Sequence, residues 1–252
     1  MTKKVFITGA TSGFGKAIAE IFARNGHDCI INGRRADRLD SMQRELEQKF
    51  NVAIYTLCFD VRNKEEVSKA ILGLPDGWKD IDILVNNAGL ALGRDYFDEA
   101  DMNDWDTMID TNVKGLLYVS KAVIPVMTKR KIGHIINIGS TAAKEVYEKG
   151  NVYCASKSAV DAISQSMRID LLRHGIKVTA VHPGAAETEF SIVRFKGDEE
   201  TAKSVYKGFK PLGAEDIASV VYYCTTLPDH VCINDLVLTS TAQANSFYFH
   251  RQ

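Results

Sequence analysis

Apolar and polar positions along this chain follow two alternating periods. Short apolar runs suit strands, and longer stretches with an apolar residue every three or four positions suit helices. Val5–Thr8 precedes the helical stretch Ala17–Arg24, Asp28–Asn32 precedes Arg38–Phe50, and Val52–Phe59 precedes Glu65–Leu72. The alternation continues through Ile81–Val85, Asn103–Lys129, His134–Ile138, Val152–Arg173, Lys177–Val181, Glu215–Cys224 and Leu236–Leu238. Seven strands with intervening helices predict an α/β fold built on a seven-stranded parallel sheet, because each helix must carry the chain back before the next strand can run the same way. Such a sheet is doubly wound in the Rossmann manner, with helices on both faces. No change of composition divides residues 1–252, so one domain is expected.

Two connections stand out. Pro75-Asp76-Gly77-Trp78 has the chemistry of a turn. Residues 184–213 are more than a connector needs, and they follow the sixth strand at the carboxyl edge, where sheets of this kind bind ligands. This segment is the expected substrate loop, and its length and position suggest closure over bound cofactor.

Composition narrows the function classes. With 45% hydrophobic and 25% charged residues the chain can bury a core and is not a disordered one. A net charge of -1 gives no bulk attraction to nucleic acid or an anionic membrane, so neither is an expected partner. The five cysteines (Cys29, Cys58, Cys154, Cys224, Cys232) are odd in number and form no C-x-x-C pair, so neither a disulfide framework nor a metal site is indicated and the cytoplasm is the natural compartment. Cys154 reads as a small apolar filler. The opening run is too short for a signal peptide, and no later run approaches membrane-spanning length.

Chemistry enters after the first strand. Thr8-Gly9-Ala10-Thr11-Ser12-Gly13-Phe14-Gly15 leads into a helix, with Gly9 for a tight turn, Gly13 for close approach of backbone to a pyrophosphate and Gly15 for close helix packing. The free N–H groups of that helix start face the anion. At the end of the second strand, where a dinucleotide without a 2′-phosphate is met by a carboxylate, the chain reads Asn32-Gly33-Arg34-Arg35. Gly33 leaves room for a 2′-phosphate and the two guanidinium groups can fork onto it, so NADP is the expected cofactor.

Tyr153 and Lys157 stand four residues apart, which on a helix puts them on one face. A tyrosine titrates near pH ~10, so using it as a base near neutrality requires stabilising the phenolate by roughly 4 kcal/mol. An ammonium about 4 Å away at an effective dielectric near 20 supplies on the order of that amount. The pair therefore reads as a proton carrier and its tuner.

Taken in order, the T-G-x-x-x-G-x-G loop, Asn86-Asn87-Ala88-Gly89, Asn112, Ser140, Tyr153-x-x-x-Lys157 and Pro183-Gly184 resemble the short-chain dehydrogenase/reductase family from end to end. Within it, Gly89–Gly93, Asn137–Thr141, Thr188–Asp198 and the C-terminal segment look like the NADP-dependent 3-hydroxy acid dehydrogenases, which act on serine, allo-threonine and related short 3-hydroxy acids or on malonic semialdehyde. The resemblance implies that Tyr153 exchanges a proton with the 3-hydroxyl and that Ser140 donates to the substrate oxygen. It gives Lys157 the tasks of lowering the tyrosine pKa and holding the nicotinamide ribose, and Asn112 a place in a proton relay or backbone kink. It also implies cofactor contacts from Gly9 through Gly15, Arg34, Arg35, Asp60, Val61, Asn87, Ala88, Gly89, Tyr153, Lys157, Pro183, Gly184 and Thr188. The 3-oxo acid formed could lose its carboxylate without another catalytic group.

Lys144, Arg194 and Lys196 are candidates for binding the substrate carboxylate. Lys144-Glu145-Val146 and Ala185-Ala186-Glu187 depart from the branch's pattern, which puts the preferred substrate in question. The resemblance suggests a homotetramer with the tail Phe247-Tyr248-Phe249 between subunits; packing on its own domain is the alternative. Two other functions remain open: reduction of another carbonyl, such as a 3-oxoacyl thioester or a xenobiotic ketone, and a non-catalytic NADP-sensing module. Retention of Ser140, Tyr153 and Lys157 disfavours the sensor.

Overall fold

The computed structural model describes residues 2–252. Its strands are β1 (Lys4–Ile7), β2 (Asp28–Gly33), β3 (Ile54–Cys58), β4 (Ile83–Asn86), β5 (His134–Ile138), β6 (Lys177–Pro183) and β7 (Asp235–Leu238). All pair in parallel, in the order β3-β2-β1-β4-β5-β6-β7. The order reverses between β1 and β4, which opens a crevice at their carboxyl ends. The seven strands and their direction are as the apolar pattern predicts.

Alternate strand residues fill opposite faces. Val5, Ile7, Cys29, Ile31, Ile83 and Val85 join one apolar cluster, with Ile18 and Phe22 of α1 (Gly13–Arg24), Leu39 and Met42 of α2 (Ala36–Phe50) and Ile217 and Val221 of α9 (Ala214–Thr226). Phe6, Ile30, Leu84 and Ile135 join the other, with Val67 and Ile71 of α3 (Lys64–Leu72), Val119, Val123 and Met127 of α5 (Leu116–Arg130) and Val160 of α6 (Asn151–Leu171). Each such side chain contributes about 1.5–3 kcal/mol by leaving water. Burial on both faces is why these strands read as unbroken apolar runs.

Two regions differ from the periodicity. The stretch expected as one helix from Asn103 is α4 (Met102–Ile109), a π-helical turn over Asp110–Gly115, and α5. A side chain at Gly115 would meet Val61 Cγ2 at 2.7 Å, so the glycine lets this widened turn lie against the β3 end of the sheet. The expected loop 184–213 carries two short helices, α7 (Glu189–Arg194) and α8 (Glu199–Ser204), capped by Thr188 and Asp198. Tyr206 fastens the segment by donating to Ala186 O at 2.7 Å while its oxygen lies 2.5 Å from Ser191 Oγ.

A buried polar ladder stiffens the sheet beneath the site. Asn86 Nδ2 donates to Asn137 Oδ1 and to Ser120 Oγ, both at 2.9 Å, and Asn137 Nδ2 donates to Ser164 Oγ at 2.9 Å. These bonds link β4, β5, α5 and α6, and away from water each costs more to leave unmade than it contributes when made.

Candidate active site

The carboxyl ends of the strands surround a cleft of about 970 Å³. Its floor is the loop between β1 and α1. Gly9 has φ +65°, and a Cβ there would meet Ala88 Cα at 2.9 Å; at Gly15 it would collide with the Gly9 carbonyl oxygen. Asn87 fixes the loop from β4, donating through Nδ2 to Thr8 O at 2.8 Å and to Gly9 O at 3.1 Å. The main-chain N–H groups of Asn87 and Ala88 both donate to Thr8 Oγ1 at 3.0 Å.

Gly9, Thr11, Ser12, Gly13 and Phe14 line the cleft, whereas Ala10 and Gly15 lie behind it. Ala10 is buried and its N–H donates to Asn32 O at 2.8 Å, so these two residues shape the loop from within. A backbone cradle with no room for a Cβ at Gly9 or Gly15, opening onto a helix start, fits a pyrophosphate. Arg34, Arg35, Asp60, Val61, Asn87, Ala88, Gly89, Pro183, Gly184 and Thr188 also reach the cleft. Arg35 Nη2 donates to Thr11 Oγ1 at 2.9 Å, and the guanidinium groups of Arg35 and Arg34 lie 3.6 Å from Glu189 and 3.8 Å from Asp60. Two cations at the end of β2, neither in a close ion pair, fit a phosphate beside the ribose.

Across the cleft, α6 presents Tyr153 and Lys157 on the face it turns to the sheet, both buried. Lys157 Nζ donates to Ile138 O at 2.9 Å, which brings it to the end of β5 beside Ser140. Ser140 caps the turn Thr141–Ala143: its Oγ accepts from Ala142 N at 3.1 Å, so its own proton remains free to donate. The Arg194 guanidinium lies 5.5 Å from the Tyr153 ring centre and 5.7 Å from that of Tyr147, and its Nη1 donates to the Tyr147 hydroxyl at 3.1 Å. Arg194 is also joined to Gly93 twice, accepting from Gly93 N at 3.0 Å and donating through Nε to Gly93 O at 3.3 Å.

This geometry matches known proteins. The pattern described as short chain dehydrogenase covers residues 3–199. The chain belongs to the short chain dehydrogenase family. It is 47% identical over 241 residues to an NADP-dependent 3-hydroxy acid dehydrogenase of Salmonella typhi, covering 95% of this chain and 96% of the relative. To the serine 3-dehydrogenase of Rhizobium radiobacter it is 43% identical over 244 residues, covering 97% and 96%. Among solved structures, the closed form of a serine dehydrogenase complexed with NADP+ superposes with a TM-score of 0.92 at 45% identity, covering 99% of this chain and 100% of that one. Serine dehydrogenase from Escherichia coli gives 0.82 at 41% identity, covering 96% and 99%.

The electrostatics of this dehydrogenase differ from the expectation for its central pair. Burial raises the Tyr153 pKa, with Tyr147 adding to the rise; the Ser140 hydroxyl and the Arg194 guanidinium only partly offset it. Burial also brings Lys157 down to about 8, with no carboxylate to oppose it. Helical spacing brings the two residues to one face but says nothing of desolvation, which here sets the direction of both shifts.

Two expected cations take other places, and Asn112 stands at a backbone kink. Asn112, in the π-helical turn, lies outside the cleft lining and clamps Leu90: its Nδ2 donates to Leu90 O at 2.8 Å and its Oδ1 accepts from Leu90 N at 2.8 Å. Nδ2 also donates to Ser156 Oγ at 3.0 Å, so Asn112 ties the Asn86–Gly89 loop to α6. Lys144 does not line the cleft; its ammonium bridges Asp235 at 2.7 Å and Asp161 at 3.0 Å. Lys196 likewise pairs with Asp104 at 2.8 Å outside the lining. Of the three cations considered for a carboxylate, Arg194 alone lines the cleft. Tyr147, His182, Asp161 and Asp235 had no motif to mark them. Tyr147 could have been noticed as an aromatic six residues before Tyr153, whereas the others meet only through tertiary contacts.

Proposed function

We propose that this chain is a single-domain, NADP-dependent oxidoreductase that transfers a hydride between the 3-carbon of a short 3-hydroxy acid and the cofactor. The observation that carries the reading is Arg194, a cation held 5.5 Å from the ring of Tyr153. A carboxylate on that guanidinium sets the 3-carbon, two bonds from the carboxylate carbon, within reach of the tyrosine oxygen. The names of the relatives at 43–47% identity support the same substrate class.

The dinucleotide supplies the hydride acceptor. Tyr153 Oη takes the hydroxyl proton, and in the reductive direction returns it. The Ser140 hydroxyl, with its oxygen engaged by Ala142 N, donates its hydrogen to the substrate oxygen and stabilises developing alkoxide charge. Lys157, one turn along α6 from Tyr153 and buried with it, supplies the ammonium that supports the phenolate when it forms, an attraction that burial strengthens. Asn112 holds Leu90 and hence the wall of the cleft in place, a positioning role.

The reading extends to a homotetramer in the cytoplasm. Five free cysteines support the compartment. Exposed Ile169, Leu172, Val237, Phe247 and Tyr248 support subunit contacts along α6, β7 and the tail. Among the described residues, no helix is long and apolar enough to cross a membrane.

A panel of serine, allo-threonine, 3-hydroxypropionate and uncharged alcohols, followed by NADPH absorbance, tests the reading. The acids are expected to be preferred. Arg194→Ala should lower kcat/KM for the acids about tenfold to a hundredfold more than for the alcohols. Equal use of acids and uncharged alcohols by the unaltered enzyme would sink the substrate class.

A further inference from the structure

Behind Ser140, on the side away from the cofactor cleft, lies a second group of polar side chains that the chemistry above does not use. His182, the next-to-last residue of β6, is fully buried. Its ring packs beneath the Gly139–Ser140 main chain so closely that a Cβ at Gly139 would collide with Nδ1. Nδ1 lies 3.3 Å from Ser140 N and 3.2 Å from Ser140 O. A bare Nδ1 accepts from the Ser140 N–H; a protonated one donates to the Ser140 carbonyl. It cannot do both.

What decides is on the other side of the ring. Nε2 faces Asp235 Oδ1 at 2.9 Å and Asp161 Oδ1 at 3.6 Å, although neither oxygen lies along a good hydrogen-bond direction. Two carboxylates at Nε2 draw the ring proton there and leave Nδ1 bare. Lys144 stands between the same carboxylates, at 2.7 Å and 3.0 Å, so the cation they share is an ammonium of this chain. The charged groups facing the ring are therefore Lys144 from the segment after Ser140, Asp161 from α6 and Asp235 from β7. Burial lowers the His182 pKa and Lys144 adds to this, against the two carboxylates, so the ring is neutral near pH 7.

We propose that His182 is a positioning residue for the reaction: its unprotonated Nδ1 holds the Ser140 main chain in the conformation that aims the serine hydroxyl at the substrate oxygen. The Asp161–Lys144–Asp235 cluster fixes the tautomer that allows this. The inference rests on the reading of Ser140 as the donor to that oxygen. Protonation of His182 exchanges acceptance from Ser140 N for donation to Ser140 O, so turnover falls on the acid side as the serine shifts.

The variants His182→Asn and His182→Gln separate this role from simple packing. Asparagine can offer an oxygen near the Nδ1 position, whereas glutamine reaches toward Nε2 and leaves Ser140 N without a partner. His182→Gln is expected to lose about tenfold to a hundredfold in kcat with an unchanged KM for NADP, and His182→Asn to stay within about threefold of the unaltered enzyme. Lys144→Met should move the acid limb of the kcat profile up by about half a pH unit, and Asp235→Asn should move it down by a similar amount, since one removes a positive and the other a negative charge beside the ring. Both shifts should vanish in the His182→Asn background.

A His182→Gln enzyme within twofold of normal, or an Asn variant as impaired as the Gln variant, would overturn the proposal. If the Gln variant does not fold, Lys144→Met and Asp235→Asn carry the test, and an unmoved acid limb overturns it. Ser140→Ala measured in parallel separates the two levels. Retained turnover there removes the serine reading and this inference with it; lost turnover alongside normal His182 variants removes the inference alone.

Discussion

Ser140 lies between two groups of ionisable side chains that the fold treats in opposite ways. On the cleft side, Tyr153 and Lys157 are buried with no carboxylate beside them, and burial moves both toward their neutral forms, the Arg194 guanidinium offsetting it only in part for Tyr153. On the far side, Lys144 and Asp161 sit nearer solvent in a network of opposite charges. Burial works against their charged forms there too, but the ion pairs prevail, so the Lys144 pKa is raised and that of Asp161 lowered. On the proposed mechanism Tyr153 is the group that exchanges a proton, and it is the one whose charged form is under-supported at rest. A group that must keep its shape is saturated with partners. The two groups share α6, since Tyr153, Lys157 and Asp161 follow one another at four-residue spacing. What separates their behaviour is depth and partner, which spacing does not encode.

The contrast can be broken by substitutions whose effects differ in kind. Tyr153→Phe keeps the ring and deletes only the hydroxyl; it should lower kcat by at least about a thousandfold while NADPH binding, read by fluorescence titration, stays near normal. Near-normal turnover would remove Tyr153 from the mechanism. Lys157→Met should cost about a hundredfold in kcat and leave the melting temperature level or higher, because an under-supported buried ammonium is removed. A marked fall in melting temperature would place Lys157 with the structural cluster instead.

Arg34, exposed, and Arg35, half-buried, are an intermediate case, with only loose ion pairs at 3.6–3.8 Å. Replacing both with Ala should raise the KM for NADP about tenfold or more and that for NAD much less; equal rises would refute their assignment to the 2′-phosphate. The smallest effect is expected for the stability of Lys144→Met, a loss of about 1 kcal/mol in urea unfolding, as befits a partly exposed pair. A loss several times larger would mean that the far cluster supports the fold and not only Ser140.

The sequence made the sheet readable because strands covered on both faces are apolar throughout, and made the glycine loop readable because positive φ and close approach leave few alternatives to glycine. Tyr153 and Lys157 stand out for a similar reason, a short local pattern, whereas Ser140 stands out only through the family resemblance. The misplaced and missed residues are those whose surroundings come from far along the chain. Lys144 looked free until β7, ninety-one residues on, brought Asp235 beside it. Asn112 was expected at a relay or a backbone kink; it stands in the π-helical turn, but its two bonds to the Leu90 main chain could not be read from the sequence. Burial, which reverses the expected shift of Tyr153, is a property of the assembled layers and has no signature at i and i+4.

The double contact between Gly93 and Arg194, one main-chain bond and one from the guanidinium, offers a gauge of the site. A substrate carboxylate that draws the Arg194 guanidinium toward itself competes with Gly93 O for Nε, so filling the site slackens one of the two bonds that hold α7 across the cleft. The Gly93 amide, bonded to the Arg194 carbonyl, takes up deuterium only when that segment lifts. Its exchange rate, followed with and without acid, times how often the mouth of the enzyme opens, independently of any turnover.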